Sequence, residues 1–235
     1  MSIKEKSKEF RRNNKHLFKE QDVNSTVFKR IFRWIGILIA RPIAKYTKIT
    51  PNQITYLGLL LFAVAGYLFY LADYFYLILA GVIIIVATLL DYVDGTLARI
   101  KSISTNFGTW LDHTFGGFSY VFLFFGAAFG LYNRTVDFMV WVFAFLSISS
   151  VLMRSLIYEN YTGLFPLAKD IIEKEKIKKK FFKNFALQTP IAHLIIALGA
   201  FFNQIYLVLI FFAIYGWLYC IGLYLFLSIK IKKHK

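Results

Sequence analysis

Six apolar runs, at roughly 51–71, 74–97, 107–131, 136–158, 190–203 and 204–228, dominate the chain. All but the fifth approach the ~20 residues with which an α-helix crosses a bilayer. Backbone in hydrocarbon has no water to bond, so a spanning segment must satisfy its own N–H and C=O groups, and runs of this length do so as helices. The expected fold class is therefore all-α, an integral membrane six-helix bundle. Composition agrees, because 58% of the residues are hydrophobic against about 45–50% in ordinary soluble domains.

Ahead of these runs, residues 1–26 are polar and charged and lack the apolar core of a signal peptide, so they read as a cytosolic arm. Residues 27–49 read as an amphipathic interfacial helix and linker. Val27, Phe28, Ile31, Ile35, Leu38 and Ile39 share one helical stripe, with Lys29, Arg30 and Arg33 on the other side. A seventh span is the alternative, disfavoured by the basic cluster within so short a stretch. Thr50-Pro51-Asn52-Gln53 then offers an N-cap, a proline at the first helical position and a reciprocal capping partner. The membrane domain is expected over 50–229, with a basic tail at 230–235.

The formal charge of +15 is carried in blocks between apolar runs, which points to anionic lipid headgroups and away from nucleic acid. With the amino terminus in the cytosol, the outer loops around Asp73, Arg134 and Asn203 hold a single basic residue. Thirteen Lys and Arg before Pro51, then Arg99 and Lys101, seven from Lys169 to Lys183 and four after Leu227 all fall inside. That asymmetry fits the positive-inside rule and places both termini and the inner ends of the second and third spans in the cytosol. The run Lys174 to Lys183 reads as a lipid-surface patch. The lone Cys220 leaves no disulfide or cysteine metal site.

Away from the span ends, where Asp73, Asp137 and Glu159 lie, only three acidic residues fall within the spans, Asp91, Asp94 and Asp112. An ionisable group at that depth is costly unless paired, hydrated or bound to metal, which makes each a functional candidate. Asp91 and Asp94 are three residues apart and share a helical face. Asp112 lies in the first turns of the next span, entering from the same side. Three carboxylates without matching lysines repel one another, and a hard divalent cation, Mg2+ or Mn2+, neutralises them. Gly95 and Gly108 bracket the acids and either allow close helix packing or leave room for a ligand. Arg99, one turn after Asp94, is placed to snorkel to headgroups, or to pair with a phosphate or with Asp94.

Read together, Asp91-Tyr-Val-Asp94-Gly95-Thr-Leu-Ala98-Arg99, eight residues to Gly108 and three more to Asp112 resemble the signature of the CDP-alcohol phosphotransferase (CDP-alcohol phosphatidyltransferase) family. The interfacial helix, the Thr50-Pro51-Asn52 start and the six-span layout extend that likeness over most of the chain after residue 25. The resemblance implies that an acceptor hydroxyl attacks the phosphorus bearing the alcohol of a CDP-alcohol, such as CDP-diacylglycerol, and releases CMP in phospholipid synthesis. It implies Asp91, Asp94 and Asp112 as ligands of a metal pair. The nucleotide would lie against Asp91, Asp94, Gly95, Ala98, Arg99 and Gly108. A homodimer is also implied.

One position departs from the pattern. The family's final aspartate, thought to ligate metal and accept the acceptor's proton, is replaced here by Gly116. His113, beside Asp112, is the candidate substitute base, although it points about 100° around the helix from Asp112; an interhelical hydrogen-bonded histidine is the competing reading. His193 is a second candidate with the same competitor. Arg154, in the fourth span, is a candidate for an acceptor phosphate, with snorkelling as its alternative. Gly116 also supports a second function, a catalytically impaired relative that binds CDP-alcohol or lipid as an assembly or regulatory subunit. A transporter is less consistent with acids near one membrane face.

Overall fold

The computed structural model of the chain describes residues 27–164 and 189–233. The expected arm at 1–26, the basic run Lys174 to Lys183 and the last residues of the tail lie outside the described residues. Every regular element described is helical. In order these are α1 (Val27–Tyr46), α2 (Pro51–Leu71), α3 (Tyr74–Ile100), α4 (Asn106–Thr135), α5 (Met139–Leu164), α6 (Thr189–Phe201) and α7 (Ile205–Lys233). Five of them, α2 to α5 and α7, are long and apolar enough to cross a membrane. The fifth expected span is α6, whose 13 residues rise about 20 Å, short of the ~30 Å hydrocarbon core. α3 runs to Ile100, so Arg99 belongs to its last turn. α7 continues to Lys233, past the expected start of the tail.

Helix ends follow from local chemistry. The Thr50 N–H donates to Gln53 Oε1 at 2.9 Å and the Gln53 N–H reaches Thr50 Oγ1 at 3.4 Å, the reciprocal cap read from the sequence. Asp73, Thr105 and Asp137 accept backbone N–H bonds from Phe75, Gly108 and Met139, so the acids at two of the three expected outer loops serve as caps. Four helix ends turn back through non-glycine residues at positive φ: Ala72 (57°), Ser102 (54°), Val136 (54°) and Asn203 (54°). At Ser102 and Asn203 the next N–H bonds five residues back, Ile103 to Ala98 O at 3.0 Å and Gln204 to Gly199 O at 2.7 Å, as in a Schellman cap.

The chain divides into two compact units. The first is the chain up to Leu61 with Ile85–Phe115. Its core joins Ala40 of α1, Ile54 of α2 and Val93 and Leu97 of α3. α1 is pressed onto α3: a Cβ at Gly36 would lie only 3.0 Å from Tyr92 Cβ, and the Phe32 and Tyr92 rings are 5.7 Å apart. Ile31, Trp34 and Leu38 stay exposed on α1, a lipid-facing stripe. Arg33, on the opposite side of α1 as the sequence pattern expects, is 6% exposed and turned into the protein. In lipid the apolar side is the outer side, and a guanidinium gains by facing the protein's polar atoms. Lys101 Nζ donates to the carbonyls of Thr47 (3.1 Å) and Ile49 (2.8 Å), tying the α1–α2 linker to the loop after α3.

The second unit is Phe62–Ile84 with Gly116–Lys235. Here α2 and α4 meet backbone to backbone, since a Cβ on Gly126 would collide with Gly66 and one on Gly130 with the Phe69 carbonyl. Helix association in lipid depends on such close packing of small residues. α5 and α7 are joined by polar contacts: Ser147 Oγ donates to Leu209 O at 2.9 Å, Trp217 Nε1 to Leu146 O at 3.1 Å and Cys220 Sγ to Ser150 O at 3.2 Å. The hydroxyl of Tyr206 donates to Asp137 Oδ2 at 3.0 Å.

Candidate functional site

The first unit gathers the motif. Asp94 is 5% exposed, and Oγ1 of Thr55 on α2 donates to its Oδ2 at 2.6 Å, a short charge-assisted contact. Asp91, one turn earlier on the same face of α3, is exposed. The carboxyl groups of Asp91 and Asp112 lie within hydrogen-bonding reach, and Asp94 and Arg33 act electrostatically on Asp91. The three acids expected to converge therefore do share one locality. Among the described residues, however, no group of three or more Asp, Glu, His or Cys side chains is arranged to hold a metal ion as it stands. Asp94 is turned toward Thr55, while Asp91 and Asp112 face each other.

Around the acids, α3 carries a second polar network. Thr96 is fully buried; its hydroxyl donates to Tyr92 O at 2.7 Å and accepts from Arg33 Nη1 and Arg99 Nη2, each at 3.3 Å. The Arg33 guanidinium sits 4.8 Å from the centre of the Tyr92 ring, a cation–π distance. Nothing but the end of Arg99, at 3.8 Å, lies within 4 Å of a Cβ built on Gly95. One on Gly108 would stand 3.2 Å from Asn52 Oδ1. The backbone at both glycines is thus open to a ligand or to Asn52, as expected for residues chosen for lack of bulk. Ala98 is half-buried between them in sequence.

Sequence reasoning missed Arg33, Asn52, Thr55 and Thr96. The available signal was polarity: a threonine inside an apolar span needs a partner, and both Thr55 and Thr96 found one at the motif.

The remaining candidates belong to α4 and the second unit. His113 is exposed and so is not the interhelical histidine of its competing reading. Gly116, one turn after Asp112 on α4, has nothing within 4 Å of a Cβ built on it. His193 is the histidine locked between helices: it is 3% exposed, its Nε2 is 3.1 Å from Ser119 Oγ, and it packs on the rings of Phe62 (4.6 Å) and Tyr120 (5.0 Å). Arg154 lines a small cleft with Tyr120, Ser150, Tyr215 and Tyr219 among its walls.

The sequence model of the CDP-alcohol phosphatidyltransferase family matches residues 48–227, well over half of the chain. The chain belongs to this family. Within it, the chain is 44% identical over 82 residues to an archaetidylinositol phosphate synthase of Pyrococcus horikoshii, 35% of this chain and 42% of that one. It is 38% identical over 119 residues to a bifunctional IPC transferase and DIPP synthase of Aquifex aeolicus, 50% of this chain and 26% of that one. The chain thus spans less than half the length of these curated relatives. The fold matches a crystal structure of Mycobacterium tuberculosis phosphatidylinositol phosphate synthase with CDP-DAG bound, with a TM-score of 0.60, 19% identity and coverage of 80% of this chain and 90% of that one. The protein is an integral, multi-pass membrane member of the family.

CDP-alcohol phosphatidyltransferases depend in general on divalent metal, and the chemistry of the acids here, though not their arrangement as it stands, suits one. Two carboxyl groups facing each other at hydrogen-bonding reach form an all-oxygen, negatively charged pair suited to a hard cation.

Proposed function

We propose that the chain transfers the phospho-alcohol group of a CDP-alcohol, CDP-diacylglycerol first among candidates, to an acceptor hydroxyl in phospholipid synthesis. In this reaction the acceptor oxygen bonds to the phosphorus bearing the alcohol, the bond from that phosphorus to the bridging oxygen breaks, CMP leaves with that oxygen, and the acceptor's proton passes to a base. The observation carrying the reading is the facing pair Asp91 and Asp112, with Asp94 fixed one turn away by Thr55. Asp91, Asp94 and Asp112 would hold Mg2+ or Mn2+, which when bound supplies positive charge to the pyrophosphate. Arg99 binds the nucleotide side, and the bare backbone at Gly95 and Gly108, with Ala98, makes room for the cytidine. His113, exposed beside Asp112, is the candidate base where Gly116 replaces the family's final aspartate.

Arg154 takes the acceptor side. A half-buried guanidinium at a cleft suits a phosphate group on the acceptor. The names of the relatives make an inositol phosphate the first acceptor to test. The charge asymmetry of the loops supports a cytosolic site and cytosolic termini, with anionic lipids and a second copy of the chain as partners.

The test is CMP release by the full chain in lipid nanodiscs with Mg2+ or Mn2+, CDP-diacylglycerol and a set of acceptors including inositol phosphate. Metal-dependent release that disappears in Asp91→Ala is expected, and Arg154→Met should raise the acceptor KM more than that of the CDP-alcohol. CDP-alcohol binding without release, together with turnover restored by Gly116→Asp, would mark the chain as a binding relative instead.

A further inference from the structure

We propose that Arg33, on the interfacial helix α1, is a positioning residue for the nucleotide site: it fixes the side chain of Arg99 through the shared hydroxyl of Thr96. The inference rests on the reading of Arg99 as a nucleotide-binding residue. A threonine hydroxyl has one proton and two acceptor lone pairs. Thr96 commits its proton to Tyr92 O at 2.7 Å, and its oxygen accepts from Arg33 Nη1 and Arg99 Nη2, both at 3.3 Å. Its hydrogen-bonding capacity is then full, and the direction of each guanidinium is set by the other's occupancy of the same oxygen.

Arg33 has little freedom to move away. It is 6% exposed, rests against the Tyr92 ring, and belongs to a helix held at backbone distance from Tyr92 by Gly36. Arg99 is half-buried at the end of α3 and remains partly accessible. Two like charges brought to one oxygen repel, an arrangement suited to a place where anions gather. Arg33 acts electrostatically on both Asp91 and Asp94, so its charge faces the acids, while Arg99 stands at the end of α3. Arg33 itself is too enclosed to touch a substrate broadly. It works through Arg99.

The experiment measures kcat and the KM for CDP-diacylglycerol by CMP release in nanodiscs, using the full chain. Arg33→Met is expected to raise KM on the order of tenfold, the worth of one charge-assisted hydrogen bond, while kcat moves by less than about threefold. Arg33→Lys, which keeps the charge and loses the planar fork, should recover part of the loss. In an Arg99→Met background the further effect of Arg33→Met should fall below about twofold, since the link has already been cut. An unchanged KM for Arg33→Met, or an equal loss in both backgrounds, overturns the proposal. If Arg33→Met does not fold, Thr96→Val cuts the same link at its middle. If the wild type binds CDP-diacylglycerol without turnover, binding affinity replaces KM, and equal affinity of the wild type and Arg33→Met overturns the proposal. A wild type that neither binds nor turns over a CDP-alcohol removes the functional reading, and this inference with it.

Discussion

Asp91→Asn should make the metal-free protein more stable and the metal-loaded protein less so. Asp91 and Asp112 face each other within hydrogen-bonding reach, and Asp94 adds a third negative group one turn away. Two full charges about 4 Å apart at an effective dielectric constant near 20 repel by about 4 kcal/mol. Arg33 acts against the repulsion, and a proton shared between the two carboxyl groups removes most of it, which leaves a relief of about 1 kcal/mol. For a chain of this size that corresponds to an unfolding temperature higher by about 2–4 °C in the presence of a chelator. Magnesium reverses the order. The wild type should gain about 2.7 kcal/mol at a hundredfold excess over its dissociation constant, and Asp91→Asn only a fraction of that. The assay is thermal unfolding in detergent or nanodiscs, with EDTA and then with magnesium. A variant that melts below the wild type by the same interval in both conditions would show that Asp91 is a structural acid, and the argument from charge crowding would be wrong.

Thr55→Val keeps the shape of the side chain and strands the buried Asp94 carboxylate without its 2.6 Å donor; a loss of about 1.5–3 kcal/mol is expected by equilibrium unfolding, with weaker metal binding by calorimetry. Thr50→Ala, which removes the cap of α2, should cost about 0.5–2 kcal/mol in the same unfolding assay, with little change in the KM for CDP-alcohol. Gly126→Ala places a methyl group against the Gly66 backbone; α2 and α4 must separate, and a clear drop in folded yield on size-exclusion chromatography is the expected result.

The helices were legible where the determinant is local. A run of ~20 apolar residues has one stable form in hydrocarbon, and α2 begins at Pro51 because Thr50 and Gln53 satisfy each other across a single turn. Asp91, Asp94 and Asp112 stood out because acids in such runs demand a reason. The facing of α1 was not legible from periodicity. Hydropathy separates the two sides of a helix but does not say which one the protein covers, and in a membrane the apolar side is free to face out. The burial of Arg33 was therefore not legible, and its partner Thr96, 63 residues away, was passed over as one hydroxyl in an apolar span. His113 and His193 looked alike in sequence, and only packing separates the exposed one from the one wedged between Phe62 and Tyr120.

The four reversals at Ala72, Ser102, Val136 and Asn203 leave this protein with unused room for thermostabilisation. A residue with a Cβ in the left-handed region is disfavoured by roughly 1–2 kcal/mol, and the β-branched Val136 is the least suited of the four. Glycine or asparagine at that position relieves the strain without adding a contact. Ala72, Val136 and Asn203 lie outside the motif segment 91–112, so a more heat-tolerant form for crystallography can be sought at the turns while the chemistry is left as it is.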